Sequence, residues 1–334
     1  MVDDVAFENQ RMIAKGWIIS TFHPIDSARM VVNDTQSVKP LLHADPDLQE
    51  LFAELPENTC YRFVLDISLP ESGFISLKYL PSGSSDGAVV DSTMWCILHP
   101  DEEQIIPGGS NIFRVIGSSN DFAYKIGGAT VANRIDQYVR RIRAKPVSEI
   151  GKILDWGCGC GRVTRYLQKL GCQSLYGVDV DEANVNWSMT HLPGINFSIS
   201  QLLPPLPFEQ GTFDLIIGVS IFTHLREGTQ DAWLQELARV LKPDGLAIVT
   251  VMTQNQAALQ GATSAFLTTI RRDGFVVTDD NNQLRLGDDA ENYYVNVYHS
   301  IEYIFEKWQR EFQVVDVVEF LGAHQDAIVL RRKR

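Results

Sequence analysis

The stretch ILDWGCGCGR, from Ile153 to Arg162, decides the fold. Apolar Ile153 and Leu154 lead into Asp155, and glycines follow at every second position, Gly157, Gly159 and Gly161. Helical spacing then begins at Arg162 and runs to Leu170. A buried parallel strand that stops at a glycine-rich turn and feeds a helix brings backbone N–H groups and the helix N-terminus close to a polar ligand. The spacing is G-x-G-x-G, not the G-x-G-x-x-G that cradles a dinucleotide pyrophosphate, so the ligand it predicts lacks that diphosphate. A second apolar strand, SLYGVDV (Ser174 to Val180), lies about 20 residues further on and carries Asp179, with Val180 beside it. A carboxylate at that strand end is placed to accept hydrogen bonds from both hydroxyls of a ribose.

Together the turn and Asp179 point to S-adenosylmethionine as the bound cofactor. The segment from Ile153 to Gly245 resembles a class I S-adenosylmethionine-dependent methyltransferase. The likeness continues through FDLIIGVSIFTHL (Phe213 to Leu225), which matches that family's fourth strand and the loop beneath the cofactor. WLQELARVLKPDG (Trp233 to Gly245) matches the helix and turn before the fifth strand. Asp244 departs from the family, which usually has the first of two glycines there, but a turn tolerates Asp. The resemblance implies an α/β fold: a doubly wound, seven-stranded, Rossmann-like domain whose strands start near Ile153, Leu175, Asn196, Phe213 and Leu246. Two final strands, Gln313 to Leu321 and Asp326 to Arg332, close it as an antiparallel pair. The ending W-x-x-x-F with QDAIVL (Trp308, Phe312, Gln325 to Leu330) resembles methyltransferases of bacterial polysaccharide pathways.

Composition is that of a soluble enzyme. The chain has 334 residues, enough for two domains. Its net charge of −13 argues against a nucleic-acid partner, because phosphate binding relies on clustered Lys and Arg. No apolar stretch reaches the roughly 20 residues of a membrane span, and MVDDVAFENQ has neither the basic start nor the apolar core of a secretory signal. Five cysteines without framework spacing fit a reducing cytoplasm, and Cys158 and Cys160 read as small turn residues. His23, His43, His99, His191 and His324 show no ligand spacing, so no metal site is expected.

Residues 1–105 have a different texture. Tyr61, Phe63, Leu65, Ile67 and Leu69 alternate with Arg62, Asp66 and Ser68, the pattern of a half-buried strand, although Val64 breaks the polar face. Ala28, Met30 and Val32 alternate likewise and end at an Asn33-Asp34 turn signal; Gly73 to Leu80, Val89-Val90 and Met94 to Leu98 supply further short strands, and Pro81 to Gly87 a loop. These predict a small, mainly-β, sandwich-like module that binds substrate, a partner or a second copy in a homodimer. Gly16-Trp17 followed by the acidic D-P-D (Asp45 to Asp47) loosely resembles β-sandwich modules fused to glycan-related enzymes. Residues 106–334 form the second domain, opening with an amphipathic helix (Val131, Ile135, Tyr138, Val139, Ile142). Ahead of that helix, Arg114, Phe122 and Tyr124 either close one wall of the site or pack the junction.

Site roles follow from the chemistry and from the resemblance. Gly157, Cys158 and Gly159 should approach the methionine end of the cofactor with backbone atoms. Asp155 either attracts its ammonium or orients the turn. Gln201 and Leu202 follow the third strand, at the adenine edge, and Ser220 ends the fourth, under the methionine. His224 titrates near neutrality and is placed to take a hydroxyl proton, unless it only packs a turn. His299 is the other candidate base, on an insertion (about 253–308) that would form a substrate lid with a helix over 256–272 and Tyr293 and Tyr294 as walls. The expected reaction is methyl transfer to a small molecule or glycan, on oxygen. Aminopropyl transfer, another use of the same cofactor, or a non-catalytic scaffold stay open as alternatives.

Overall fold

The computed structural model describes residues 1–19, 29–33, 36–51, 59–71, 73–80, 94–103, 105–278, 295–322 and 325–333. They divide into two compact units: Met1–Ile105 with Lys125–Thr130, and Ile106–Tyr124 with Val131–Arg334.

The first unit opens with a hairpin, β1 (Val2–Glu8) and β2 (Arg11–Ile19). Its turn residues Asn9 and Gln10 have φ of 49° and 62°, the left-handed pair whose twist matches that of the flanking strands. Then come β3 (Arg29–Val32), β4 (Gln36–Val38), β5 (Leu41–Ala44), α1 (Pro46–Leu51), β6 (Cys60–Ser68), β7 (Phe74–Leu80) and β8 (Met94–Leu98). They make two antiparallel four-stranded sheets, ordered β1-β2-β6-β5 and β4-β3-β7-β8. Alternation along β6 is as its sequence reads: Phe63, Leu65 and Ile67 are buried and Arg62 and Asp66 exposed. The D-P-D has a local role. Asp45 accepts from the Leu48 amide at 2.9 Å, capping α1, and its other oxygen pairs with Arg62. Ala28, Asp34, the loop 81–87 and Val89-Val90 lie outside the described residues.

The second unit is built on a parallel sheet. After α2 (Gly109–Ile116) and α3 (Asp121–Arg143), whose residues 125–130 belong with the first unit, strand and helix alternate. They are β9 (Lys152–Trp156), α4 (Thr164–Lys169), β10 (Ser174–Asp179), α5 (Glu182–His191), β11 (Asn196–Ile199), β12 (Phe213–Gly218), α6 (Glu227–Val240) and β13 (Leu241–Thr253). The strands lie in the order β11-β10-β9-β12-β13, so the chain reverses its direction of travel beside β9. That switch point leaves a crevice at the carboxyl ends of β9 and β12. A run of rings packs beneath it: Trp156 lies 5.3 Å from Phe222 and 4.9 Å from Trp233, and Phe222 lies 4.8 Å from Trp308.

Beyond β13 the chain forms α7 (Gln254–Leu259), α8 (Ser264–Asp273), β14 (Phe275–Thr278), β15 (Asn296–His299), α9 (Ile301–Lys307), β16 (Phe312–Gly322) and β17 (Gln325–Arg332). β17 runs antiparallel to β13 over Leu246–Val251 and carries β16 on its other side, which completes the seven-stranded order. The insertion departs from expectation twice. Its helix is two helices, interrupted around Gly261, where φ is 80°. It also adds two strands, because β15 pairs in parallel with β13 at Met252 and Thr253 and antiparallel with β14. Residues 279–294, with Tyr293 and Tyr294, lie outside the described residues. Among the described residues no helix is long and apolar enough to cross a membrane.

Candidate functional site

The crevice is walled by the glycine turn, by the end of β10 and by the loop after β12. Gly157 and Gly159 have φ of 75° and 53°, a region that disfavours side chains, and both sit under neighbours. A Cβ on Gly157 would lie 2.0 Å from Ile221 Cδ1, and one on Gly159 2.7 Å from Val115 Cγ2. The turn's amides are spent internally. Gly157 N–H and Cys158 N–H both donate to Val178 O, at 2.8 and 3.0 Å, and Gly159 N–H donates to Asp179 Oδ2 at 2.7 Å. The amides of residues 157–159, which the sequence predicted as donors to the ligand, are therefore already engaged.

The two carboxylates differ in surroundings. Asp155 is buried at the end of β9 and accepts a hydrogen bond of 2.5 Å from Thr164 Oγ1; burial pushes its pKa up to about 6. Asp179 takes one amide on each oxygen, Gly159 on Oδ2 and Asp181 on Oδ1 at 2.8 Å, and burial raises its pKa too. A carboxylate has about four acceptor positions, so two remain. Asp181 caps α5 through the Asn184 amide and pairs with Arg114 at 2.7 Å.

Across the crevice, Ser220 holds a left-handed φ of 63°. Its amide donates to Thr250 Oγ1 at 2.7 Å, and its Oγ accepts from Gln325 Nε2 at 2.8 Å. His224 lines the same space, and its Nδ1 lies 3.0 Å from Val295 O. A carbonyl only accepts, so the neutral ring carries its proton on Nδ1 and its lone pair on Nε2. Burial lowers the pKa of this ring below the usual histidine value. Val219, Ile221, Leu225 and Trp233 complete an apolar wall.

Residues 153–245 match the family model described as a methyltransferase domain. That stretch, which holds the glycine turn and the end of β10, is thus similar to a methyltransferase domain. The cofactor of that family is S-adenosylmethionine. Among curated proteins, a ubiquinone biosynthesis O-methyltransferase of Bartonella tribocorum is 29% identical over 110 residues, 32% of this chain and 43% of the relative. The human mitochondrial arginine-hydroxylase NDUFAF5 is 30% identical over 129 residues, 38% of this chain and 34% of that one. The chain thus spans less than half the length of these relatives. Among solved structures, the PH0226 protein of Pyrococcus horikoshii superposes with a TM-score of 0.44 at 20% identity, covering 60% of this chain and 91% of that one.

Within the matched stretch, Asp155, Gly157, Cys158, Gly159, Asp179, Val180, Ser220 and His224 all line one crevice. Gln201 and Leu202 do not; they are exposed, and the wall reaches Ser200 instead. His299 is also outside the wall. It is fully buried among the rings of Phe275, Tyr303 and Trp308, and its Nε2 lies 3.0 Å from Gln230 Oε1. Burial pushes its pKa down to about 3, so it is a neutral core residue and not a base facing substrate. Arg114 reaches the crevice, whereas Phe122 and Tyr124 do not; the Tyr124 hydroxyl donates to Cys160 O at 3.1 Å beneath the turn. Sequence reading passed over Arg162 and Asn184, both in the wall, because each looks like an ordinary helix residue.

Proposed function

We propose that this chain is an S-adenosylmethionine-dependent methyltransferase that methylates an oxygen of a small molecule or glycan. The observation that carries the reading is the gathering of Asp155, the 157–159 turn, Asp179 and His224 around one crevice. The residues present fit the cofactor. Two acceptor positions on Asp179 suit a ribose diol, Asp155 suits an ammonium, and the apolar wall suits a desolvated sulfonium. When bound, the cofactor supplies a methyl group to a nucleophile lying in line with its sulfur. Positioning by the chain contributes up to about 7–11 kcal/mol to such a reaction. His224, neutral because it is buried, takes the acceptor's proton at Nε2.

The acceptor side is formed by the insertion. Val297 N–H donates to Thr223 O at 2.8 Å, and Val295 O holds His224, so this segment borders the path of the methyl group. The relatives alone leave the reaction open, since one is a methyltransferase and another a hydroxylase. The test is calorimetric titration with S-adenosylhomocysteine, then mass-shift screening of nucleotide sugars, glycan extracts and a phenolic quinone precursor. A gain of one methyl on a hydroxyl is expected. Binding without any methylated product supports a scaffold, and a product carrying an aminopropyl group refutes methyl transfer.

A further inference from the structure

Ser220 keeps its left-handed φ of 63° in the crevice wall, a conformation that persists for a side chain only where its surroundings fix it. What fixes it is a closed ring of hydrogen bonds. Ser220 N–H donates to Thr250 Oγ1 at 2.7 Å, Thr250 Oγ1 donates to Gln325 Oε1 at 2.5 Å, and Gln325 Nε2 donates to Ser220 Oγ at 2.8 Å. The direction of each bond is forced. A backbone N–H only donates, so Thr250 Oγ1 receives it and sends its own proton to Oε1, which only accepts. Nε2 only donates, so Ser220 Oγ accepts from it. Ser220 Oγ also lies 3.0 Å from Oε1, but that oxygen already holds the Thr250 proton at the shorter distance. The hydroxyl proton of Ser220 is thus left for the crevice. A tight turn, closed by His224 N–H to Ile221 O at 3.0 Å, brings the His224 ring into the same wall.

We propose that Ser220 Oγ–H donates to the oxygen that receives the methyl group, and that this bond, aimed by Gln325, selects a hydroxyl acceptor over an amine. It rests on the oxygen-methylation reading above and names what enforces it. A hydroxyl oxygen has two lone pairs and one proton. One lone pair forms the bond to the methyl carbon as the carbon–sulfur bond breaks and leaves its electron pair on sulfur. The second lone pair accepts from Ser220, and the proton passes to His224 Nε2. A neutral amine has a single lone pair, which the new bond consumes, so Ser220 would face its N–H groups with an unmatched donor. A site built to hydrogen-bond one polar group rejects the analogue that cannot answer it. Ser220 is a specificity-determining residue in contact with the acceptor, and Gln325 is a positioning residue that acts through it.

Calorimetry on the full chain compares S-adenosylhomocysteine with sinefungin, which carries an ammonium on carbon in place of the methyl on sulfur. That ammonium donates toward the place of the acceptor oxygen, where the free lone pair of Ser220 Oγ receives it. Ser220→Ala should lower sinefungin affinity by about 10- to 150-fold and leave S-adenosylhomocysteine bound as before. Gln325→Glu replaces the amide donor by an acceptor and draws the Ser220 proton away from the crevice. It should bind sinefungin at least as tightly as the parent. Turnover is then compared on the phenolic quinone precursor and on its counterpart with an amine at the reacting position. Both variants should lose kcat/KM for the phenol and narrow the phenol-to-amine preference by about 10-fold or more. Equal losses of both ligands in Ser220→Ala would place the hydroxyl on the cofactor and overturn the proposal, as would no loss of either. Weaker sinefungin binding in Gln325→Glu overturns the role of Gln325. A parent that prefers the amine overturns oxygen methylation too, and one that binds neither ligand overturns the cofactor reading. If the parent turns over neither probe, the calorimetric outcomes decide alone.

Discussion

Asp179 carries the clearest prediction at the residue scale. Its oxygens already hold the Gly159 and Asp181 amides, so the side chain is fixed before ligand arrives. Asp179→Ala should weaken S-adenosylhomocysteine binding by about 10- to 150-fold, the worth of a hydrogen bond to a charged group. Unchanged affinity in a folded variant would show that the ribose lies elsewhere. His224→Ala should lower kcat by about 10²–10⁴ and leave cofactor affinity nearly unaltered. Because burial lowers the pKa of His224, the base is already neutral at pH 7. The acid limb of kcat should therefore fall below the ordinary histidine range in the parent and vanish in the variant. A loss of only a few-fold would reduce His224 to packing. His299→Ala should behave differently and cost about 2–4 kcal/mol of stability, since its ring fills a sealed space.

At the scale of elements, Gln230 ties the insertion to the loop after β12. Its Nε2 donates to Phe222 O at 2.8 Å and Leu225 O at 2.9 Å, while its Oε1 meets His299 on β15. Gln230→Leu should destabilise the fold by about 2–4 kcal/mol in urea titration, because three buried partners lose their bonds. A change under 0.5 kcal/mol would mean the loop is held by its rings alone. This bridge was invisible in the sequence, which shows Gln230 as one more polar residue of a helix. Elements with local cues were legible: β9 and β10 from apolar runs, and the turn from its glycines. The hairpin β1–β2 was not, since the buried face of β2 reads Met12, Ala14, Gly16 and Ile18, and two of those four are too small to mark an apolar stripe. Nor were β14 and β15, whose pairing with distant β13 is a tertiary outcome. In the site, residues on the turn and strand ends were readable. Ser200 and Arg162 required the geometry of the wall.

At the scale of the whole molecule, the division of α3 between the two units has a measurable effect. Thr130 Oγ1 accepts from the Cys96 amide at 2.9 Å, and Ile126 and Ala129 are buried. A fragment of residues 106–334 contains every residue of the crevice wall, so it should still bind S-adenosylhomocysteine. It should also melt lower than the full chain by several degrees, having lost the partners of residues 125–130. A fragment that is folded yet binds nothing would place part of the site in residues 1–105. One further feature bears on how such a chain diversifies. β13 gives one edge to two partners in succession, β17 along Leu246–Val251 and β15 at Met252 and Thr253. The β16–β17 hairpin and the insertion thus share a strand but no pairing residue. On the proposed reading, substitutions in residues 254–299 change the acceptor side without touching a residue paired with β17, and the boundary between the two falls between Val251 and Met252.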